Sequence, residues 1–224
     1  MFMKYKYMAA SFLRSRGKHR FISLLKSGAK VLDVGCGNAS VVAFKKVNPD
    51  IHYTGIDIAD YNQTIESKNA MDHYHIFDEN NFSDNIDALD IDYDAVICSH
   101  NLEHCNDRAA TLLSILRRLK IGGKIYLSFP CEDSINFPNR HGTLNFYDDN
   151  THKYIPPNFE EILSTLNTNG FDITFKAKKY RPLILFLVGM LLEPISKIKK
   201  TVMIGSWEFY GFETIIHAIK KDNF

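Results

Sequence analysis

Residues 31–40 read VLDVGCGNAS: a short apolar run, an aspartate, then two glycines with one residue between them. Lys30–Val34 has the composition of a buried strand. Gly35 and Gly37 permit a tight turn and a close approach of backbone to a ligand. A strand, a glycine turn and a helix in that order set amide groups beside a helix N-terminus, where an anionic group is favoured. Twenty residues after Gly37 comes Asp57, closing HYTGID, and Asp78 follows the next apolar run. A carboxylate at the second of these strand ends can accept hydrogen bonds from two ribose hydroxyls. At the third it can accept from an adenine amino group.

The remaining apolar runs and breakers alternate in the same manner. Helices are predicted over 38–47, stopped by Asn48-Pro49, over 61–69, over 107–119, and from Pro156-Pro157 to about residue 169 with Gly170 at its cap. Strands are predicted at His52–Asp57, 74–77, Tyr93–Ser99, at 124–129 after the Gly122-Gly123 turn, and at 171–180 and 207–220. This order specifies an α/β chain: one doubly wound, mostly parallel sheet with an antiparallel last strand, in a single domain over 1–224. Ligands of such sheets sit outside the carboxyl ends of the strands, where strand order reverses.

Two ligand classes compete for that rim. A dinucleotide loop calls for G-x-G-x-x-G, and Ser40 stands at its third glycine. Asp33, just ahead of the turn, would repel a pyrophosphate but suits an ammonium group. A ligand with an amino-acid end, a ribose and an adenine meets every one of these residues. The stretches VLDVGCGNAS, YTGIDIAD, HIFDENNF, YDAVICSHNLEHCND and LKIGGKIYLSFP resemble, in order and spacing, the class I S-adenosylmethionine-dependent methyltransferases over roughly residues 28–130. FETIIHAIK is similar to the last strand of that family. The resemblance implies a seven-stranded, Rossmann-like methyltransferase fold with S-adenosylmethionine as cofactor. It implies that Asp33, Gly35 and Gly37, with Cys36 between them, lie at the methionine end. Asp57 would hold the ribose, Ile58 flank the adenine and Asp78 meet its edge, while Ser99 and His100 line the cofactor where the fourth strand ends. Ala39 departs from the pattern, since many members carry a third glycine there.

Residues 130–155, PCEDSINFPNRHGTLNFYDDNTHKYI, form a connection too long for a plain turn and are expected to be an acceptor-side insertion. His141 and His152 within it, and His104 in LEHC, are the candidates for a base or an acceptor contact. His141 and His152 are equally suited to a structural role, and the position of His104 often just packs. This stretch, with the following helix and Gly170-Phe171, is similar to methyltransferases of bacterial surface-polysaccharide synthesis. That resemblance implies O-methylation of a sugar hydroxyl in a nucleotide-linked or polysaccharide substrate. The alternatives are another small acceptor (a phenol, a quinone-like ring or an amine), a nicotinamide-dependent oxidoreductase, and a partner subunit that has lost catalysis. Asp148–Asn150 is similar to the Asp-Asn pair that holds magnesium in catechol-type methyltransferases. It lies well beyond the fifth strand, no matching acid is evident, and no metal is expected.

Residues 181–203 interrupt the closing strands as an apolar helical excursion, and 183–192 carry no polar side chain. That run is half of the ~20 residues a membrane span requires. Burial in the domain, in a homodimer or at a membrane surface is expected, with Arg181, Lys197, Lys199 and Lys200 suiting anionic headgroups. A net charge of +1 gives no field toward nucleic acid, and none is expected as a partner. Cys36, Cys98, Cys105 and Cys131 form no CxxC pair, so a reduced, cytoplasmic setting, at the inner face of the membrane if the helix touches lipid, is expected. The opening MFMKYKYMAASFLRSRG lacks the unbroken apolar stretch of a secretory leader. The basic residues Lys4, Lys6, Arg14, Arg16, Lys18 and Arg20 read as a solvated helix face.

Overall fold

The computed structural model describes residues 13–222; Lys4, Lys6 and the segment judged for a leader lie largely outside them. In chain order the elements are α1 (Lys18–Ser23), β1 (Lys30–Val34), α2 (Ser40–Val47), β2 (His52–Asp57), α3 (Ile65–Ala70), β3 (His73–Ile76), α4 (Phe82–Asp87), β4 (Tyr93–Ser99), α5 (Arg108–Arg117), β5 (Leu119–Pro130), α6 (Phe159–Thr168), β6 (Phe171–Ala177), α7 (Leu183–Lys199), α8 (Ser206–Tyr210) and β7 (Glu213–Lys220). The strands form one sheet in the order β3-β2-β1-β4-β5-β7-β6. β1 pairs in parallel with both β2 and β4, so strand order reverses there, and β7 runs antiparallel between β5 and β6. This is the doubly wound sheet with an antiparallel last strand that the sequence predicts.

Strand periodicity divides the core. Leu32, Val34, Ile56 and Val96 face α4, α5 and α6, whereas Val31, Tyr53, Ala95 and Ile97 face the side of α1 and α2. Asp33 falls between Leu32 and Val34, so alternation turns its side chain toward the α2 side.

Several boundaries differ from expectation for local reasons. α3 starts at Ile65 because Thr64 and Ser67 cap one another's backbone amides. β3 begins and ends one residue earlier than predicted, and β5 includes Gly122 and Gly123 rather than starting after them. The predicted strand over 207–220 is in fact two elements. Trp207 to Tyr210 are helical, and only from Glu213 does the chain pair along β5.

The excursion is one 17-residue helix, α7, and its faces are inverted. Inward it presents Gly189, Glu193 and Ser196. Arg140, buried, donates through Nη1 to Glu193 Oε2 at 2.8 Å and to Ser196 Oγ at 2.5 Å. Tyr210 donates to Glu193 Oε1 at 2.7 Å. A Cβ added at Gly189 would lie 2.0 Å from the carbonyl oxygen of Gly205, so the two backbones touch. Outward, Leu183, Ile184, Leu187, Met190, Leu191, Ile195 and Ile198 are exposed. Burial within the domain is therefore not what this helix does. No helix among the described residues is long and apolar enough to cross a membrane.

Candidate functional site

The loops after β1, β2 and β4 converge at the reversal point. Gly35 has φ +76°, and a Cβ there would meet Asn101 Nδ2 at 2.7 Å. A Cβ at Gly37 would come within 3.3 Å of Tyr61 and 3.5 Å of Asp57 Oδ2. The amides of Gly35 and Cys36 both donate to the carbonyl of Ile56, and that of Asn38 to the carbonyl of Tyr61. The expectation of free amide donors for an anion is corrected here: most are committed to the protein, which removes the basis for a pyrophosphate cradle. Asn38 and Ala39 both take left-handed backbone, at φ +57° and +53°, and only then does α2 begin. Alanine thus occupies a conformation that glycine adopts at no steric cost.

Two cavities meet across this loop, of about 590 and 650 Å³. The first is lined by Gly35, Gly37, Asp57, Ile58, Tyr61, His100, Asn101, His104, Asp149, Thr151 and Lys153 among others. Asp57 is almost wholly buried, and its Oδ1 accepts from the Ile58 amide at 2.8 Å. Burial pushes its carboxyl above the usual range, while the nearby amides of Ile58 and Gly37 pull the other way. The second cavity holds Arg14, Asp33, Ser99, His100, Trp207 and Glu213. Asp33 accepts from Ser40 Oγ at 2.7 Å and from the Tyr53 hydroxyl, and burial raises its pKa. Ser99 and Ser128 share a hydrogen bond of 3.0 Å beneath this wall.

His100 stands between the cavities with a left-handed backbone at φ +53°. Its Nδ1 lies 3.0 Å from Glu103 Oε1 and its Nε2 3.3 Å from Glu213 Oε1, while the ring stacks on Phe212 and meets Trp207 at a tilt. Burial alone would lower its pKa, but the two carboxylates outweigh it and raise it to about 9. At neutral pH His100 is a cation with no lone pair to offer. Arg14 pairs with Glu213 and, at 3.5 Å, with Glu208, so it belongs to a buried charge network and not to a solvated helix face. Glu103 is fully buried, and its Oε2 has no hydrogen-bond partner.

Of the three candidate histidines two meet: His152 of the acceptor-side insertion and His104 of the loop after β4. His152 Nδ1 faces the carbonyl of Phe146 at 2.6 Å, so it carries the proton, and the Nε2 lone pair is left bare. Burial holds the His152 pKa below its usual value. Thr151 Oγ1 donates to Asp149 Oδ1 at 2.6 Å and lies 2.9 Å from His104 Nδ1. With its proton spent on Asp149, the hydroxyl accepts from His104 Nδ1–H, which leaves the lone pair on His104 Nε2 as well. The two rings stand 4.8 Å apart. His141 is elsewhere: it is exposed, and its backbone pairs with Lys200 and Val202 after α7. Asp78 is exposed, caps the short turn after β3 through the Asn80 amide at 2.9 Å, and lines neither cavity. The Cys36 thiol is buried against Gly55 on the far side of the loop. Asp148 is saturated by the amides of Arg140, Leu144 and Asn145 and by Asn139, so it organises the loop.

Glu103, Glu213, Arg14, Asn101 and Lys153 were not among the sequence candidates. Glu213 is hidden by the predicted strand over 207–220, which puts it mid-strand; because 206–210 are helical, it is in fact the first residue of antiparallel β7, at the rim where the parallel strands end.

A family model described as a methyltransferase domain matches residues 5–174. The ubiquinone biosynthesis O-methyltransferase of Aromatoleum aromaticum is 28% identical over 108 residues, covering 46% of this chain and 44% of that protein. This chain spans less than half the length of the curated relatives it matches. Among solved structures, an S-adenosylmethionine-dependent methyltransferase from Archaeoglobus fulgidus superposes with a TM-score of 0.55 at 20% identity, covering 96% of this chain and all of that one. A phosphoethanolamine N-methyltransferase of Haemonchus contortus, in complex with phosphomonomethylethanolamine and S-adenosylhomocysteine, gives 0.58 at 17% identity, covering 97% and 53%.

Proposed function

This chain belongs to the methyltransferase domain family, and from that premise we propose that it uses S-adenosylmethionine to methylate a hydroxyl of a sugar-like acceptor, nucleotide-linked or carried on a lipid or polysaccharide. The residues fit the cofactor. Asp57 aims a buried carboxylate into the first cavity where only a glycine leaves room, and Ile58 lies beside it. Asp33, Ser99 and Arg14 offer both charges to an amino-acid end in the second cavity. When bound, the cofactor supplies a methyl group already activated on a sulfonium. The protein's task is then alignment of the acceptor and handling of its proton.

The character of the first cavity carries the acceptor assignment. Asn62, Asn80, Asn101, Asn106, Asp149, Thr151 and Lys153 stand on its wall, beside Ile58, Tyr61 and Phe82. Side-chain amides and carboxylates suit a polyhydroxylated acceptor more than a quinone-like ring, and Lys153 suits a phosphate. His100, already protonated, positions and does not abstract. His104, which lines this cavity with a bare Nε2 lone pair, is the acceptor-activating group, and the buried His152 ring supports it from behind. Incubation with methyl-labelled S-adenosylmethionine and a panel of nucleotide sugars, glycans, phenols and amines tests this. Label in a sugar product supports the assignment, and label only in phenols or amines replaces it.

The outward stripe of α7 supports a partner as well: an anionic lipid surface at the inner face of a membrane. Exposed Arg181, Lys197, Lys199 and Lys200 lie at the two ends of that stripe. Apolar insertion flanked by cations is the arrangement of an interfacial helix.

A further inference from the structure

Glu103, His104 and His152 each place a potential ligand atom within 4.8 Å of the others. The chain's own hydrogen bonds have prepared all three. Each imidazole gives its Nδ1 proton to a neighbouring oxygen, Thr151 Oγ1 for His104 and the Phe146 carbonyl for His152, and neither Nε2 takes a hydrogen bond among the described residues. This outer arrangement fixes a ligating histidine in the right tautomer. Glu103 is fully buried, and its Oε2 is unpartnered, a desolvation cost that a bound cation would relieve. Asp149 Oδ2 stands 4.0 Å from His152 Nε2, in reach of a further position.

We infer that Glu103, His104 and His152 bind one divalent first-row transition ion, with zinc the best match, on the wall of the first cavity. Two neutral imidazoles and a carboxylate form a set that zinc accepts while keeping a position open. Metal–ligand distances of about 2.0–2.1 Å place tetrahedral ligands roughly 3.4 Å apart, so no pair of the three groups closes in by more than about 1.4 Å on binding. Of the three ligands only His104 lines the cavity, beside Asp149 and Thr151, while the Glu103 and His152 side chains lie buried behind it, so the ion would sit within the wall with His104 on the acceptor side. Resting on the proposed reaction, the inference says how the histidine pair activates a hydroxyl: through the ion, and not by direct contact. It departs from the expectation of no metal, which rested on the cysteine spacing and on Asp148–Asn150.

Metal binding is read without cofactor or acceptor. The full chain, stripped with chelator, is titrated with Co²⁺ and with Zn²⁺. We expect one tightly held equivalent, a visible Co²⁺ band of low-symmetry nitrogen and oxygen ligation, and two imidazoles in the zinc X-ray absorption spectrum. His104→Ala and His152→Ala should each lower affinity at least tenfold, with circular dichroism unchanged. Should His152→Ala fail to fold, the wild-type spectrum and the more accessible His104→Ala decide. No retained metal, a spectrum without imidazole, or equal binding by His104→Ala would overturn the site. In that event methyl transfer would still stand, with the imidazoles acting directly. A metal-loaded chain that methylates nothing would leave the site standing and remove the reaction.

Discussion

His100 Nε2 lies 3.3 Å from Glu213 Oε1, joining the end of β4 to the start of β7 across 113 residues of sequence. Arg14 takes the other oxygen of Glu213, so one buried carboxylate holds two cations at the rim. Its pKa falls to about 2, because Arg14 and His100 outweigh a burial effect that acts the other way. Removing it strands both cations. We expect Glu213→Ala to cost roughly 3 kcal/mol and to lower the melting temperature by about 6–12 °C, measured by thermal denaturation. A loss within 1 °C would show the network to be structurally idle.

Asp57→Ala should weaken binding of S-adenosylmethionine at least tenfold while the melting temperature of the free protein stays within a few degrees. The carboxylate faces a cavity, and its main protein partner is the adjacent Ile58 amide. Calorimetric titration of both proteins checks it, and equal affinity would remove Asp57 from the ribose.

Ala39 occupies left-handed backbone at the junction of the glycine turn and α2. That conformation costs an L-residue about 1–2 kcal/mol, partly offset by the greater freedom of glycine in the unfolded chain. Ala39→Gly is therefore expected to raise stability by roughly 0.5 kcal/mol and to leave cofactor affinity intact, as urea unfolding and titration would report. A loss of stability would mean the methyl group makes contacts that outweigh the strain.

Burial pushes His19 and His217 down to about 4, aided by Lys18 and Arg14 beside the first and Arg16 beside the second. Unfolded chains take up these protons near pH 6.5 and the folded chain refuses them until about 4. The unfolded state thus binds more protons across that window, and stability falls as pH drops through it. We expect a loss of about 1–2 kcal/mol per histidine between pH 7 and 4.5, after allowance for solvent screening. His217→Gln, which keeps a donor for the Arg16 carbonyl, should flatten the slope. An unchanged slope would assign acid sensitivity elsewhere.

Wild-type protein should sediment with phosphatidylserine vesicles and stay in solution beside neutral ones. Leu187→Glu with Ile198→Glu should abolish sedimentation without a change in melting temperature, since both side chains point outward. Self-association by light scattering, with no vesicle binding, would give the stripe to a second copy instead.

The sheet and its rim were legible because strand ends are local. VLDVGCG and HYTGID state where their strands stop, and Asp57 reached the cavity as expected. What was not legible depends on pairings far apart in sequence. Nothing near Arg14 announces Glu208 or Glu213. His141 and His152 look equivalent in the insertion, yet Asp148 folds the loop so that His152 reaches His104 while His141 turns to the end of α7. Asp78 follows the pattern of an adenine contact but spends its carboxylate on its own turn. The run 183–192 discloses that α7 is apolar and not which way it faces, because Glu193, Ser196 and Gly189 commit the inner side only once Arg140, Tyr210 and Gly205 are in place.

Gly189 and Gly205 touch backbone to backbone with no space for so much as a methyl group. The helix cannot rotate about its axis without driving a side chain into that contact, so its bearing is set like a key in a slot. Evolution could exchange most residues of the outer stripe and alter only how greasy it is. Exchanging either glycine would change what the stripe points at.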